Sequence, residues 1–275
     1  MAAWAAFGAV VGVVLALLLA LSWLTGRTMS DGADGAESDS TPAGTAPERA
    51  ADAVAPAPAV RDPVSVVDRE APRDSPAVAT LTAERELSGG VLLANVAASQ
   101  GTFTVILVVA AVATGIPLDA LGMTADALEP GALAAGVGLG LGLAVANQGV
   151  AWLFRRLDVA VSEELRALLA PETPGQWAAL AFGALPLVAV FEEFLFRSIL
   201  IGAVATGFGV DPWLLVAVSS GLFAAGHSAQ GAAGIVVTGG LGLVLGAAFV
   251  ITGSFATVVV AHYLVNVLEF LYHER

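Results

Sequence analysis

Three ionisable side chains lie close together in a segment that is otherwise apolar. Glu192 and Glu193 are adjacent, and Arg197 follows four residues after Glu193. In a helix Glu193 and Arg197 share one face with the acid nearer the amino end, which favours an ion pair. Glu192 lies about 100° further around the helix, so its partner must come from another segment. A carboxylate placed in this way is a candidate general base, because charged groups at bilayer depth are costly to keep without a function.

Two histidines in later apolar segments each have a partner four residues away. Phe223 precedes His227, and Asn266 follows His262, so each pair lies on one helical face. His273, in the polar carboxyl-terminal tail, is predicted to be a solvated surface residue. An imidazole can position or exchange a proton, and an amide can donate to an oxyanion. Together with the acids, these side chains indicate chemistry on a carbonyl group rather than simple packing.

The elements that must position these groups are membrane helices. With 57% hydrophobic and 13% charged residues, the chain cannot be an ordinary soluble globule. It is predicted to be a multi-pass protein of the cell membrane. The absence of cysteine excludes disulfides, thiolate metal sites and cysteine nucleophiles. All eleven basic residues are arginine and the net charge is -13, a composition associated with high-salt (halophilic) environments.

One acidic region separates the first apolar segment from the rest. Residues 31–86 hold twelve of the 24 acidic residues, seven of the thirteen prolines and no aromatic residue. Such a segment cannot bury enough apolar area to offset the entropy of ordering. We therefore predict a disordered acidic Ala/Pro-rich linker at 27–88. The apolar segment before it, 1–26, is longer than the roughly 7 to 15 residues of a signal-peptide core, and is predicted to be a retained transmembrane anchor.

The apolar segments predict an all-α, polytopic transmembrane helical bundle of about seven spans, since a crossing helix needs about 20 residues. Transmembrane helices two and three fall in 89–156, an amphipathic interfacial helix in 157–175, and the core that carries the acids and histidines in 176–272. The predicted spans are residues 2–24, 90–114, 131–154, 176–205, 212–228, 232–252 and 254–272.

The arginines indicate the orientation of this bundle. With seven crossings, almost all of them fall on one side of the membrane, whereas the opposite loops around 119–129 and Asp211 contain no basic residue. The positive-inside rule makes the arginine side cytoplasmic. The amino terminus is then predicted outside, with the linker and the carboxyl terminus inside. Besides the arginines between residues 49 and 85, those on the cytoplasmic side are Arg27, Arg155, Arg156, Arg166 and Arg275.

Four short patterns, in this order along the chain, carry a resemblance to a known family. They are Glu192-Glu193-x-x-x-Arg197, Phe223-x-x-x-His227, Gly242-x-x-x-Gly246 and His262-x-x-x-Asn266. They resemble the CAAX prenyl protease and bacteriocin-processing (CPBP) family, whose type II CAAX prenyl endopeptidase-like members are intramembrane proteases. The resemblance covers residues 176–269. It departs from the family pattern at Ser198, where glycine is expected, and at Thr238, where an aromatic residue is common.

The resemblance implies an endopeptidase that hydrolyses peptide bonds inside the membrane. Glu192 would activate the attacking water, and His227 would position that water. His262 and Asn266 would stabilise the oxyanion formed from the scissile carbonyl. The predicted ion pair of Glu193 with Arg197 would hold the helix in place and adjust the basicity of Glu192. The glycine-spaced pair would let two helices approach closely and seal the cavity.

The resemblance leaves the cofactor and the substrate open. The family is commonly described as metalloproteases, and Glu192, His227 and His262 are candidate zinc ligands, because two imidazoles and a carboxylate leave a position for water. The same groups also serve a metal-free glutamate mechanism, and the chain has no His-Glu-x-x-His. Implied partners are the lipid bilayer and a peptide or lipidated-protein substrate of the CAAX or leader-peptide type. No nucleic-acid partner is predicted.

Two alternatives from other functional classes are consistent with the sequence. A proton- or ion-coupled transporter would use the carboxylates and histidines as a relay, although the spans show no obvious internal repeat. A catalytically inactive membrane scaffold would bind partners through its acidic linker. Substitution of Glu192 separates the three, because only a protease would lose peptide cleavage.

Overall fold

The computed structural model describes residues 2–38, 76–159, 170–171 and 173–273, and this part of the chain contains helices and no strand. The predicted all-α helical bundle is therefore confirmed. The helices are α1 (Trp4–Ser38), α2 (Pro76–Ala113), α3 (Pro130–Arg156), α4 (Pro174–Phe208), α5 (Pro212–Gly226), α6 (Gly231–Thr252) and α7 (Phe255–His273).

Six of these helices are long and apolar enough to cross a membrane, which agrees with a multi-pass membrane protein. The exception is α5, which has 15 residues. At about 1.5 Å per residue it is shorter than the roughly 30 Å hydrocarbon core. The segment 212–228, predicted as a full crossing, is thus an apolar helix of less than crossing length.

Two predicted segments fall largely outside the described residues. Helix α1 continues to Ser38 and α2 begins at Pro76, so both helices extend into the range predicted as a linker. The centre of that range, 39–75, lies outside the described residues. The same holds for 160–169, most of the predicted interfacial helix. The linker and the interfacial helix remain predictions.

Local sequence signals start and stop the helix that carries the acids. Helix α4 begins at a capping box in which Thr173 and Gln176 bond each other's backbone N–H groups. It ends at Gly209, whose φ of 67° favours glycine. Asp211 then accepts hydrogen bonds from two backbone N–H groups at the start of α5. This short connection makes α4 and α5 neighbours.

Helix α4 is the central element of the bundle. The apolar stretch of α4 is 56% buried inside the protein, whereas the apolar stretches of the other long helices are between 6% and 33% buried. It contains two π-helical segments, Leu180–Ala184 and Phe194–Ala203. The second begins directly after Glu193, and such wide turns are frequent at functional sites. Every residue from Phe191 to Ile199 is buried, although the side chain of Glu192 keeps 12% of its surface exposed.

Glycines on α3 bring α7 close to it. A Cβ atom at Gly136 would lie 2.7 Å from the carbonyl oxygen of Thr257, and one at Gly140 would lie 2.9 Å from that of Ala261. Gly138 and Gly142, on the other side of α3, have no neighbour within 4 Å. The buried pair therefore sets the position of α7, the helix that carries His262.

The glycine pair predicted to pack does so between α6 and α5. A Cβ atom at Gly242 would lie 3.1 Å from Cβ of Ser220, and one at Gly246 would lie 3.1 Å from Cγ1 of Val216. Both glycines are buried. This close approach also brings the backbone carbonyl of Gly242 toward α4.

Candidate active site

The two adjacent glutamates on α4 differ in their access to water. The side chain of Glu193 is 0% exposed, and Arg197 is 1% exposed. The side chain of Glu192 is 12% exposed and faces the 23% exposed side chain of His227. Glu192 is therefore the carboxylate of the pair that water can reach.

Arg197 and Glu193 form the predicted ion pair. Nη1 of Arg197 donates to Oε1 of Glu193 at 2.8 Å, and Nη2 points to the carbonyl oxygen of Gly242 at 3.4 Å. The guanidinium also lies 4.7 Å from the ring centroid of Phe223. An acid, a carbonyl dipole and an aromatic face together compensate the buried charge.

Glu193 also holds His262. Nδ1 of His262 lies 2.6 Å from the same oxygen, Oε1, that accepts from Arg197. Because a carboxylate in an ion pair can only accept, Nδ1 carries the proton. Nε2 of His262 then points toward Oε2 of Glu192, 3.6 Å away. The contact between His262 and Glu193 was not predicted from the sequence, which paired Glu193 with Arg197 alone.

His227 is fixed by the end of α5. It occupies the position after the last helical residue, and its Nδ1 lies 2.8 Å from the carbonyl oxygen of Phe223. A carbonyl accepts, so Nδ1–H is the donor and satisfies one of the carbonyls left open at the helix end. Nε2 of His227 faces Oε1 of Glu192 at 3.8 Å.

Glu192 is thus the point on which the two histidines converge. Each of its oxygens faces the Nε2 atom of a different imidazole, at 3.6 Å and 3.8 Å. These distances exceed the roughly 2.7 to 3.2 Å of a direct hydrogen bond, and a water can lie within bonding distance of both members of either pair. The neutral ring of His227, whose Nδ1–H is bonded to Phe223, presents a lone pair here, as the carboxylate does. The arrangement therefore suits a bound molecule that donates hydrogen bonds, such as water.

Phe223 lies among these groups and was singled out in the sequence only by its spacing from His227. Its ring centroid is 4.6 Å from that of His227 and 6.1 Å from that of His262, the second in an edge-to-face arrangement. It also contacts Phe196 at 5.0 Å. Phe223 is buried, and its ring and carbonyl oxygen hold both imidazoles in place.

Asn266 and His273 lie further along α7. Asn266 is partly buried one turn beyond His262, and among the described residues its amide makes no hydrogen bond. His273 contacts Glu269 at 3.0 Å, and its side chain is only 16% exposed. The prediction of a solvated surface residue at 273 is therefore wrong: the side chain is largely buried and lies against Glu269, one turn earlier on the same helix.

The two departures from the family pattern have local explanations. Ser198 is buried and donates to the carbonyl oxygen of Leu121 at 2.8 Å. Thr238 donates to Oε1 of Gln230 at 3.2 Å. Both hydroxyl groups thus have partners, and neither replaces a group that faces Glu192.

The candidate zinc ligands were tested against the geometry of the site. Zinc requires donors at about 2.0 to 2.2 Å from one common point. Glu192, His227 and His262 do come together, but within the described ranges no group of three His, Cys, Asp or Glu side chains is arranged to hold a metal ion. The donor set therefore does not meet this requirement for zinc.

Residues 174–268 match the family model described as type II CAAX prenyl endopeptidase Rce1-like. No curated protein and no solved structure shows a significant match to the chain. The matched range nearly coincides with the predicted range 176–269 and contains all six site residues proposed from the sequence. The resemblance to the CAAX protease family is confirmed. The match supports a hydrolase of the CAAX-type intramembrane endopeptidase class.

Proposed function

We propose that the chain is an intramembrane endopeptidase in which Glu192 activates the water that attacks a peptide carbonyl. The observation that carries this proposal is the position of Glu192, the more exposed carboxylate of the pair, between Nε2 of His227 and Nε2 of His262. The family match supports the class of reaction. The substrates are membrane-associated peptides or lipidated proteins, processed as in CAAX or leader-peptide cleavage.

His227 positions the attacking water. Because its Nδ1–H is used by the carbonyl oxygen of Phe223, the neutral ring accepts at Nε2. A water that donates one hydrogen to Glu192 and the other to His227 keeps its lone pair for the scissile carbonyl carbon. Glu192 takes the proton as the C–O bond forms, and passes it to the amide nitrogen as the C–N bond breaks.

His262 stabilises the oxyanion. Since its Nδ1–H is bonded to Glu193, only the doubly protonated ring can donate from Nε2. A carboxylate oxygen lies near each ring nitrogen, Oε1 of Glu193 at Nδ1 and Oε2 of Glu192 at Nε2. Asn266, one turn along the same helix, supplies a second donor from its side-chain amide. Glu193 and Arg197 are positioning residues that act through His262 and the helix.

The proposal is tested by Glu192→Gln in the full chain, reconstituted in liposomes with membrane-anchored prenylated and leader peptides. The amide cannot accept the proton, so we expect cleavage to fall by about 10²- to 10⁴-fold. Product formation is measured by mass spectrometry. Glu129→Gln, an exposed acid before α3, is the matched control and should retain full activity. Undiminished cleavage by Glu192→Gln would contradict the proposal. So would a wild-type chain that cleaves no peptide but carries a pH-coupled ion flux that Glu192→Gln abolishes.

A further inference from the structure

Helix α1 contacts the turn between α5 and α6, residues 227–230, which carries His227. This helix lies outside the matched range 174–268, yet it packs against α5 and the turn that follows it. Ser22, in an otherwise apolar part of α1, makes the polar contacts. In membrane helices, serine hydroxyls commonly form such interhelical hydrogen bonds.

The direction of these bonds follows from the number of protons. Oγ of Ser22 donates its one hydrogen to the carbonyl oxygen of Gly226 at 2.6 Å. The second contact, 3.2 Å between the hydroxyl oxygens of Ser22 and Ser228, must therefore be donated by Ser228. One side chain of α1 thus ties together the residues on both sides of His227.

The turn needs this support because its own helix ends there. Gly226 is the last residue of α5, and its carbonyl has no intrahelical partner. At the far end of the turn, Gln230 is held by Thr238. The side chain of His227 is 23% exposed, more than that of Glu192, which it faces, and more than that of His262. The position of its Nε2 therefore depends on how firmly the turn is held.

We propose that Ser22 is a positioning residue for the reaction: through Gly226 and Ser228, α1 holds His227 at its distance from Glu192. The inference rests on the proposed function, in which His227 orients the attacking water. It assigns to the amino-terminal helix a role in the site, in addition to anchoring the chain.

A kinetic experiment tests the positioning role. Ser22→Ala removes both bonds, and we expect kcat to fall by about three- to tenfold, the range that loss of one or two interhelical bonds gives, with KM unchanged. Ser22→Thr keeps the hydroxyl and should restore kcat. The control is Thr102→Ala, an exposed residue of α2 whose hydroxyl bonds only within its own helix, to the carbonyl of Ala98. It should leave kcat unchanged.

A second experiment tests the contact without any cleavage assay. The chain has no cysteine, so Ser22→Cys with Ser228→Cys introduces a single pair, which should oxidise to a disulfide. Trypsin then cuts at the arginines between residues 49 and 85, and the disulfide keeps α1 attached to the remaining chain. Ser22→Cys with Thr252→Cys is the control, because Thr252 lies at the opposite end of α6, about 30 Å away, and should not form the bond.

The results separate this inference from the proposed function. Failure of the Ser22 and Ser228 pair to oxidise would overturn the contact and the inference with it. A disulfide together with wild-type kcat in Ser22→Ala, or an equal loss in Thr102→Ala, would overturn the positioning role alone. Absence of cleavage by the wild-type chain would overturn the proposed function and the positioning role that rests on it, while the disulfide would still report the contact.

Discussion

The two neighbouring glutamates on α4 have the same chemistry and different surroundings. Glu193 is fully buried and its Oε1 atom is shared by Arg197 and His262, whereas Glu192 is partly exposed and faces two imidazoles at longer distances. Because Glu193 is buried and its carboxylate already accepts hydrogen bonds, water cannot reach it. Glu193 therefore has a structural role in the site. In the proposed mechanism, Glu192 is the glutamate that acts on the substrate.

This division predicts different effects of the same substitution at the two positions. Glu193→Gln removes the carboxylate that pairs directly with the guanidinium of Arg197 inside the bundle. Breaking a buried pair from one side costs about 3 to 5 kcal/mol. We expect a lower free energy of unfolding and a lower thermal midpoint, measured in detergent by the fluorescence of the tryptophans.

Glu192→Gln is the matched comparison, because the same atoms change one residue away. It removes no ion pair from Arg197, and we expect a thermal midpoint close to that of the wild-type protein together with loss of cleavage. Equal destabilisation by the two substitutions would contradict the assignment of separate roles.

At the scale of elements, α3 is important because it fixes α7. Its four glycines at every second position, residues 136 to 142, form two faces, and only Gly136 and Gly140 contact α7. Gly140 lies against Ala261, the residue before His262. A shift of α7 at this contact would therefore move the imidazole relative to Glu192.

Alanine substitutions along α3 test this packing. At Gly140 the new methyl group would lie 2.9 Å from both the carbonyl oxygen of Ala261 and Cβ of Leu264. We expect a cost of about 1 to 3 kcal/mol and reduced cleavage, measured as thermal midpoint and kcat. Gly142→Ala is the control: with no neighbour within 4 Å, it should keep activity and unchanged or slightly higher stability. Equal effects at the two positions would contradict the packing role.

At the scale of the whole molecule, hydrogen bonds gather several loops at one end of the bundle. The backbone N–H of Ala3 donates to Thr114, and that of Phe255 donates to Gly122. The loop between α2 and α3 contains no basic residue, whereas α3 ends with Arg155 and Arg156 at the opposite end. This distribution is the basis of the proposed orientation, with the arginine-rich end cytoplasmic.

Single cysteines in the cysteine-free chain test the orientation. Asp126→Cys and Leu157→Cys place a thiol at exposed positions at either end of α3. In intact cells, a membrane-impermeant maleimide should label the cysteine at 126, and should label the one at 157 only after permeabilisation. The reverse pattern would show that the proposed orientation is wrong.

Much of this architecture could be predicted from local sequence. Apolar stretches of about 20 residues predicted the six long helices, because the cost of burying polar groups in lipid acts on every residue of a segment. The same criterion predicted a crossing at 212–228, where the helix has only 15 residues. The ion pair between Glu193 and Arg197 followed from helical spacing alone. The order of the acid and histidine motifs along the chain is enough to indicate the protease family.

Only the tertiary structure decided which groups meet across the bundle. The sharing of Glu193 by His262, the distances from Glu192 to both imidazoles and the bonds from Ser22 to a turn more than 200 residues away all join separate helices. Spacing within one helix fixes angles around that helix, but not its rotation or depth relative to another. Those are set by close backbone contacts such as that of Gly140 with Ala261, which no single segment encodes.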